Sequence, residues 1–344
     1  MPMNASTGGD PAIELVPTTV ELADQIERFL EVIEENERFL VVSHTSPDGD
    51  AIGSTLSMGL LLEALGKEVV FYNRDAVPYN FGFLEGADAM VTEVPADADI
   101  DVTVVLDCAE PERIGEEFPE QGWGDTIVVV DHHKTWDAEF ADIYVRDVGA
   151  AATGELVYRL VVAAGVKLDK PIAEALYCCV MTDTGSFRYS NTSRTTFRIA
   201  GELIDAGVEP WRMTSHIYES NPKERLELLA LVLNTLEFSH CGRLAFLRIE
   251  DEMFESTGTG PELTDGFINY ARSIRGVEVA TQLREDDEDL WRVSFRSRGK
   301  VDVSELAAKF GGGGHHNAAG CRIEGTSDEI VEKLSQALVE LLDE

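Results

Sequence analysis

Residues 38–66 read RFLVVSHTSPDGDAIGSTLSMGLLLEALG and fall into three parts. RFLVVSH is a short apolar run, read as a buried strand. AIGSTLSMGLLLEALG predicts a helix stopped by Gly66. Between them lies a polar junction that carries His44, Asp48 and Asp50. Working outward, the alternation repeats. EVVFYN (68–73), DVTVVLDC (101–108) and TIVVVDHH (126–133) read as further strands. ATGELVYRLVVAAG (152–165) reads as a glycine-terminated helix, and PIAEALYCCVMTDTG (171–185) starts helical and runs into an acidic turn. Strands alternating with helices predict an α/β fold, a doubly wound parallel sheet covered on both faces. In such sheets ligands collect outside the carboxyl ends of the strands.

Upstream, residues 21–36 predict a helix with Leu22, Ile26, Phe29, Leu30 and Ile33 on one face, and residues 1–20 read as a flexible arm. Downstream, 196–236 reads as a charged helical linker. Beyond it RLAFLRI, EVATQLRE and LWRVSFRS look strand-like, while VSELAAKF and SDEIVEKLSQALVELL look helical. The expected organisation is a catalytic domain over 21–195, the linker, and a smaller α+β domain over 237–344, with the active site in the cleft between them. A length of 344 residues suits two cores better than one.

The formal net charge is −36, from 64 acidic and 28 basic residues. The acids are spread along the chain, so they read as a solvated surface rather than a binding tract. Adaptation to high salt accounts for them, since screening at 1 M reaches only about 3 Å; eight lysines against twenty arginines fit the same idea. Without a basic patch, long duplex DNA is a poor partner. No apolar run approaches a membrane span and no signal peptide is visible, so a cytoplasmic protein is expected. Five irregularly spaced cysteines suggest neither a disulfide framework nor a zinc site.

The chemistry sits at the ends of the strands. The first ends at His44, Asp48 and Asp50, the third at Asp107, the fourth at Asp131, His132 and His133; a later loop is expected to supply Asp183. A single Asp after a strand is usually a helix cap. The set resists that reading, because five of the seven histidines fall in three short motifs. Crowded carboxylates and imidazoles need cations to neutralise them. This donor set suits Mn²⁺, with Mg²⁺, Co²⁺ or Zn²⁺ also possible. Its size exceeds the needs of one ion and predicts two divalent metal ions. Gly49 is expected to let the backbone turn between two aspartates, and Gly53 to let the helix approach its neighbour closely.

The motifs SHTSPDGDAIGS, LDCAE, DHH and TDTGSF resemble those of the DHH phosphoesterase superfamily, in the same order. The resemblance spans roughly 36–341. It implies that His44 and Asp48 bind a first metal, that Asp50, His132 and Asp183 bind a second, and that Asp107 bridges them. Asp131 would orient the histidines, and His133 would face the substrate phosphate. GGGGHHNAAG (311–320) resembles the substrate loop of the DHH-associated domain, implying roles for Gly312, Gly313, Gly314 and His315. Arg296 resembles a phosphate contact, and Arg188, near Asp183, is a further candidate. No role is assigned to His316 or Asn317. Cys108 reads as buried packing, Thr153 and Glu155 as a helix start, and His216 and His240 as structural.

The implied activity is hydrolysis of short oligonucleotides or small nucleotides (pApA, 3′-phosphoadenosine-5′-phosphate) by a metal-bridging hydroxide. A soluble cyclic-di-AMP phosphodiesterase, a RecJ-like exonuclease working in a complex, and a silent scaffold are the alternatives. A homodimer built on an exposed helix is compatible with the sequence.

Overall fold

The structure, a computed structural model, describes residues 18–115, 124–134, 137, 139–287 and 289–343. The expected arm over 1–20 therefore lies, but for its last three residues, outside the described residues. The chain divides into two compact units, Met1–Ile217 and Tyr218–Glu344.

The first unit opens with α1 (Val20–Glu35), capped by Thr19, whose hydroxyl accepts from the Leu22 amide. Its stripe of Leu22, Ile26, Phe29 and Ile33 is buried. Then come β1 (Arg38–Val42), α2 (Gly49–Ala64), β2 (Glu68–Tyr72), β3 (Val102–Leu106), β4 (Thr126–Asp131) and β5 (Ile143–Arg146). Four helices follow: α3 (Thr153–Ala163), α4 (Lys170–Asp183), α5 (Arg194–Asp205) and α6 (Pro210–Tyr218). The strands form one parallel sheet in the order β2-β1-β3-β4-β5. Phe39, Val41, Val104, Leu106, Val128 and Val130 join the core built by the helices. Leu40, Val42, Val105 and Val129 face a second cluster with Tyr72, Ile114 and Phe140. Burial on both faces is why these strands read as unbroken apolar runs.

Helix α2 is held against α4 by glycines. A Cβ on Gly53 would sit 2.5 Å from the Ala175 carbonyl, as expected of a close approach. Gly49 is different from expectation: it is the first helical residue, and a Cβ there would meet the Thr182 side chain at 2.5 Å. Close packing, not a turn, requires it. Asp183 also differs, being the last residue of α4 rather than part of a loop. Thr182 and Thr184 hydroxyls donate back to helix carbonyls of Cys178 and Val180 and extend the helix that far.

The stretch expected as a linker is shared between the units. Ile199, Ala200, Leu203, Met213 and Ile217 from α5 and α6 belong to the first core. Helix α7 (Lys223–Asn234) instead buries Leu228 and Val232 in the second unit. That unit continues with β6 (Glu237–Phe238), β7 (Leu244–Ile249), α8 (Asp251–Thr257), α9 (Ile268–Ser273), β8 (Val279–Asp287) and β9 (Leu290–Ser297). It ends with α10 (Val303–Lys309), β10 (Gly313–His315), β11 (Ala318–Glu324) and α11 (Ser327–Asp343). Its sheet order is β10-β11-β9-β8-β7-β6, with β7 and β8 parallel and the other pairs antiparallel. Leu283, Val293 and Phe295 pack with Leu306, Ile330 and Leu334 of α10 and α11. On the other face, Ala245, Leu247 and Ala280 pack with residues of α7, α8 and α9.

Candidate metal centre

The strand order places a topological switch between β1 and β3, so their carboxyl ends open a crevice where ligands gather. His44 follows β1. Asp48 is the N-cap of α2, its carboxylate accepting from the amides of Asp50 and Ala51 at 3.0 and 3.1 Å. Asp50 lies in the first turn of that helix. Asp107 follows β3 in a left-handed conformation, with φ 57°. Asp131 ends β4, and His132 and His133 follow. Asp183 arrives from the end of α4.

These side chains converge. His44, Asp48 and Asp107 form one set of donor atoms within 4.8 Å of one another, and Asp50, His132 and Asp183 form another. A third set is Asp107, His132 and His133. Asp107 lies at the centre: His44 Nε2 is 3.5 Å from its Oδ2, and His132 Nε2 is 3.5 Å from its Oδ1. His132 Nε2 is also 3.6 Å from Asp183 and 3.8 Å from Asp50.

The supporting hydrogen bonds fix how the imidazoles are presented. His44 Nδ1 faces the Thr45 carbonyl at 2.9 Å, and His132 Nδ1 faces the Ala150 carbonyl at 3.2 Å. A carbonyl only accepts, so Nδ1 carries the proton in both rings and Nε2 is turned toward the carboxylates. His133 Nδ1 pairs with Asp131, which is wholly buried, at 2.6 Å. Asp50 accepts from the amides of Thr153 and Gly154, at the start of α3, at 2.7 and 3.0 Å. Asp107 Oδ1 accepts from the Thr153 hydroxyl at 2.9 Å.

Burial and crowding shift the ionisation of these groups. Burial, then the charges of Asp107 and Asp183, push the Asp50 carboxyl well above its ordinary range. Burial raises Asp183 to about 7, only partly opposed by His132. Burial opposes ionisation of Asp107 too, but His133, His44 and His132 together hold it low. His132 is driven up to about 10: burial acts against its charge, and Asp183, Asp107 and Asp50 overcome it. His44 is raised in the same way, by Asp107 against burial. Full ionisation of the cluster is therefore costly on its own, a cost that divalent cations would relieve. The donors, two presented Nε2 atoms and clustered carboxylate oxygens, suit Mn²⁺-type ions.

Several residues of this centre were not singled out by the sequence. Thr153, taken for a simple helix start, ties α3 to both Asp50 and Asp107. Asn73, at the end of β2, is buried and donates to Ser43 Oγ and the His44 carbonyl at 2.8 and 3.1 Å. Glu155 accepts from Thr196 at 2.7 Å and belongs to the packing of α5. Cys108 is buried, with its thiol pushed up to about 12, which is not the behaviour of a nucleophile. His216 stacks on Phe83, and His240 is exposed. Arg188 is exposed on the turn after α4, where its Nε donates to the Gly185 carbonyl.

The remaining candidates lie in the second unit. The glycine run is a hairpin strand rather than an open loop: Gly313, Gly314 and His315 pair with Gly320, Ala319 and Ala318. Gly312 and Gly314 are required sterically, since a Cβ would meet the carbonyls of Gly320 and Ala318 at 2.1 and 2.5 Å. The strand is at the edge of its sheet, and the His315 side chain lies outside what the structure describes. Arg296 lies beside it, paired with Ala318, and its guanidinium donates to the Phe295 carbonyl. His316, given no role, spans Asp302 and the Gly299 carbonyl, each at 3.0 Å, and so ties the hairpin to the loop before α10.

The chain is similar to known proteins along most of its length. The DHH family N-terminal domain matches residues 38–180, and the DHHA1 domain matches 247–344. A Thermus thermophilus protein, the bifunctional oligoribonuclease and PAP phosphatase NrnA, is 34% identical over 88% of this chain and 89% of its own. The Bacillus subtilis protein of the same name is 28% identical over 81% and 87%. An exopolyphosphatase-related protein of Bacteroides fragilis superposes with a TM-score of 0.84 at 29% identity, covering 94% of this chain and 98% of that one. The fold is also that of Thermus thermophilus RecJ in complex with Mn²⁺, with a TM-score of 0.52 at 14% identity over 94% of this chain and 55% of RecJ. Among the described residues no helix is long and apolar enough to cross a membrane.

Proposed function

We propose a function from one premise: the chain belongs to the DHH family. It is a metal-dependent phosphoesterase that hydrolyses short oligonucleotides and small nucleotides such as 3′-phosphoadenosine-5′-phosphate. The observation that supports this best is the pair of donor sets meeting at Asp107, one with His44 and Asp48, the other around Asp50, His132 and Asp183. Each set would hold one divalent ion, Mn²⁺ in the first instance, with Asp107 shared between them. When bound, such ions polarise the phosphoryl oxygens and lower the pKa of coordinated water.

The protein's own groups have distinct tasks. Thr153 and the first amides of α3 keep Asp50 and Asp107 aimed into the cluster. The carbonyls of Thr45 and Ala150 hold His44 and His132 in the tautomer that leaves Nε2 available. Asp131 fixes the ring of His133 through Nδ1, and His133 would face a phosphate oxygen or the leaving group. Arg188, exposed beyond Asp183, would add a cation for the same phosphate. In the second unit, Gly312–His315 and Arg296 would hold the rest of the nucleotide through edge-strand amides and a guanidinium.

A substrate panel tests this reading. It contains 3′-phosphoadenosine-5′-phosphate, pApA, cyclic-di-AMP, pyrophosphate, and RNA and DNA of graded length, each with Mn²⁺. Fastest turnover of the bisphosphate and the shortest oligonucleotides supports it. Processive degradation of long strands would move the protein to the exonuclease reading, and no turnover in any metal to the scaffold reading.

A further inference from the structure

The ring of His133 pairs with Asp131 through Nδ1, at 2.6 Å from Oδ1. The second carboxylate oxygen of Asp131 is buried and takes no hydrogen bond among the described residues. The same Nδ1 is 3.5 Å from Asp107 Oδ1, and the ring stands edge-on to His132 with centroids 4.9 Å apart. A hydrogen bond to one oxygen fixes a distance. Where the imidazole reaches also depends on the course of the His133 backbone.

That backbone is gripped from the neighbouring strand. Arg146 closes β5, and the parallel register sets it directly beside Asp131, the last residue of β4. Val130 and Val145, one residue earlier, are register partners within the helical core, so Asp131 and Arg146 lie on the other side of the pleat. From there the Arg146 guanidinium donates through Nη2 to two successive carbonyls, of His133 and of Lys134, the latter at 2.8 Å. Both hydrogens of that nitrogen are thereby directed at the turn that follows β4. Hydrogen bonds from a charged donor are about twice as strong as neutral ones, and a planar guanidinium holds them in a fixed geometry. The Arg146 amide donates to Gln25 Oε1 at 2.9 Å, which ties this end of β5 to α1. The cluster's other groups are held by other means: the His132 ring by the Ala150 carbonyl, Asp50 and Asp107 by the start of α3.

We infer that Arg146 is a positioning residue for His133: it sets the backbone from which the imidazole reaches out, while Asp131 sets the ring. The inference rests on the proposed function, in which His133 faces a phosphate oxygen or the leaving group, and it names the residue that keeps His133 in place. Its role is exerted through His133 alone. The rate therefore depends on Arg146, whereas binding of metal and nucleotide does not. Displacing a reacting group by about 1 Å costs on the order of 100-fold.

The test is hydrolysis of pApA with Mn²⁺ by full-length Arg146→Met, Arg146→Lys, His133→Asn and the variant carrying both Arg146→Met and His133→Asn, with thermal unfolding of each. Methionine keeps the apolar stem and removes the donors. It is expected to lower kcat about 10–100-fold, with KM and Mn²⁺ affinity within about threefold of wild type. Lysine keeps a charged donor and should recover part of the rate. His133→Asn alone should cost about 100-fold or more. Beside it, Arg146→Met should cost less than about twofold more, because the two residues act as one unit. An unchanged kcat in Arg146→Met, or a loss that persists in full beside His133→Asn, overturns the positioning role and leaves the proposed function intact. A Tm lowered by more than about 5 °C together with weaker Mn²⁺ binding overturns it in favour of a purely structural role. Wild-type protein that hydrolyses no nucleotide in any metal overturns the proposed function, and the inference with it.

Discussion

Asp183→Asn should make the metal-free protein more stable and the metal-loaded protein less so. The carboxyl of Asp183 is held up at about 7 against an ordinary 3.8. In the unfolded chain it ionises near pH 4, whereas in the folded chain it keeps its proton until about pH 7. Stability is therefore lost as pH rises from 4 to 7, and the whole loss is present at pH 8. At 1.36 kcal/mol per pH unit the upper bound is about 4 kcal/mol. The side chain is 29% exposed, so solvent screening reduces this to about 2 kcal/mol. Asparagine removes the charge and with it the penalty. For a unit of this size, that raises Tm by about 4–8 °C in EDTA at pH 8, with little change at pH 4. Metal reverses the order: a thousandfold excess over Kd adds about 4 kcal/mol to the wild type, and the variant, short of one ligand, gains less. The assay is thermal unfolding at both pH values, with EDTA and with Mn²⁺. A variant less stable than wild type in EDTA at pH 8, or equally stabilised by Mn²⁺, would refute the reasoning.

Other perturbations have defined outcomes. Thr153→Val removes the hydroxyl that Asp107 accepts; metal affinity by calorimetry should fall about 10–100-fold with the fold unchanged by circular dichroism, and unaltered affinity would remove Thr153 from the centre. Gly53→Ala places a Cβ 2.5 Å from the Ala175 carbonyl, and chemical denaturation should show a loss of about 2 kcal/mol, in spite of the better helix propensity. Asp101 is lowered to about 2, first by the hydrogen bond from the Arg38 side chain. It therefore stabilises the fold above about pH 4, and Asp101→Asn should lower Tm at pH 7 but not below pH 2. With 64 acids against 28 basic residues, stability should rise steeply from 0.1 to 1 M salt as the screening length shrinks from about 10 to 3 Å; a flat profile would contradict salt adaptation.

The parts of the fold legible in the sequence are those with a local physical signal. Strands β1, β3 and β4 are buried on both faces and end in polar clusters, so each is an apolar run with a marked end. Strand β5 is four residues, IYVR, with only Val145 fully buried, too short to carry a pattern. Helices α5 and α6 show amphipathic faces, but which core they join depends on partners distant in sequence. The converging acids and histidines were legible because their residue types are rare together at strand ends. Thr153 was not, because Thr-Gly-Glu before an apolar run reads as a helix start, and its partner Asp107 lies 46 positions away. Arg146 was hidden for the same reason, since only the β4–β5 register sets it beside Asp131.

The most direct test of the metal-dependent phosphoesterase is to strip the protein with chelator, titrate Mn²⁺ back, and count bound ions by elemental analysis while following hydrolysis of pApA. The donor sets around Asp107 predict two ions per chain, with activity returning only as they bind and absent in Asp107→Asn. Full hydrolysis by the stripped protein, or by Asp107→Asn, would contradict the account.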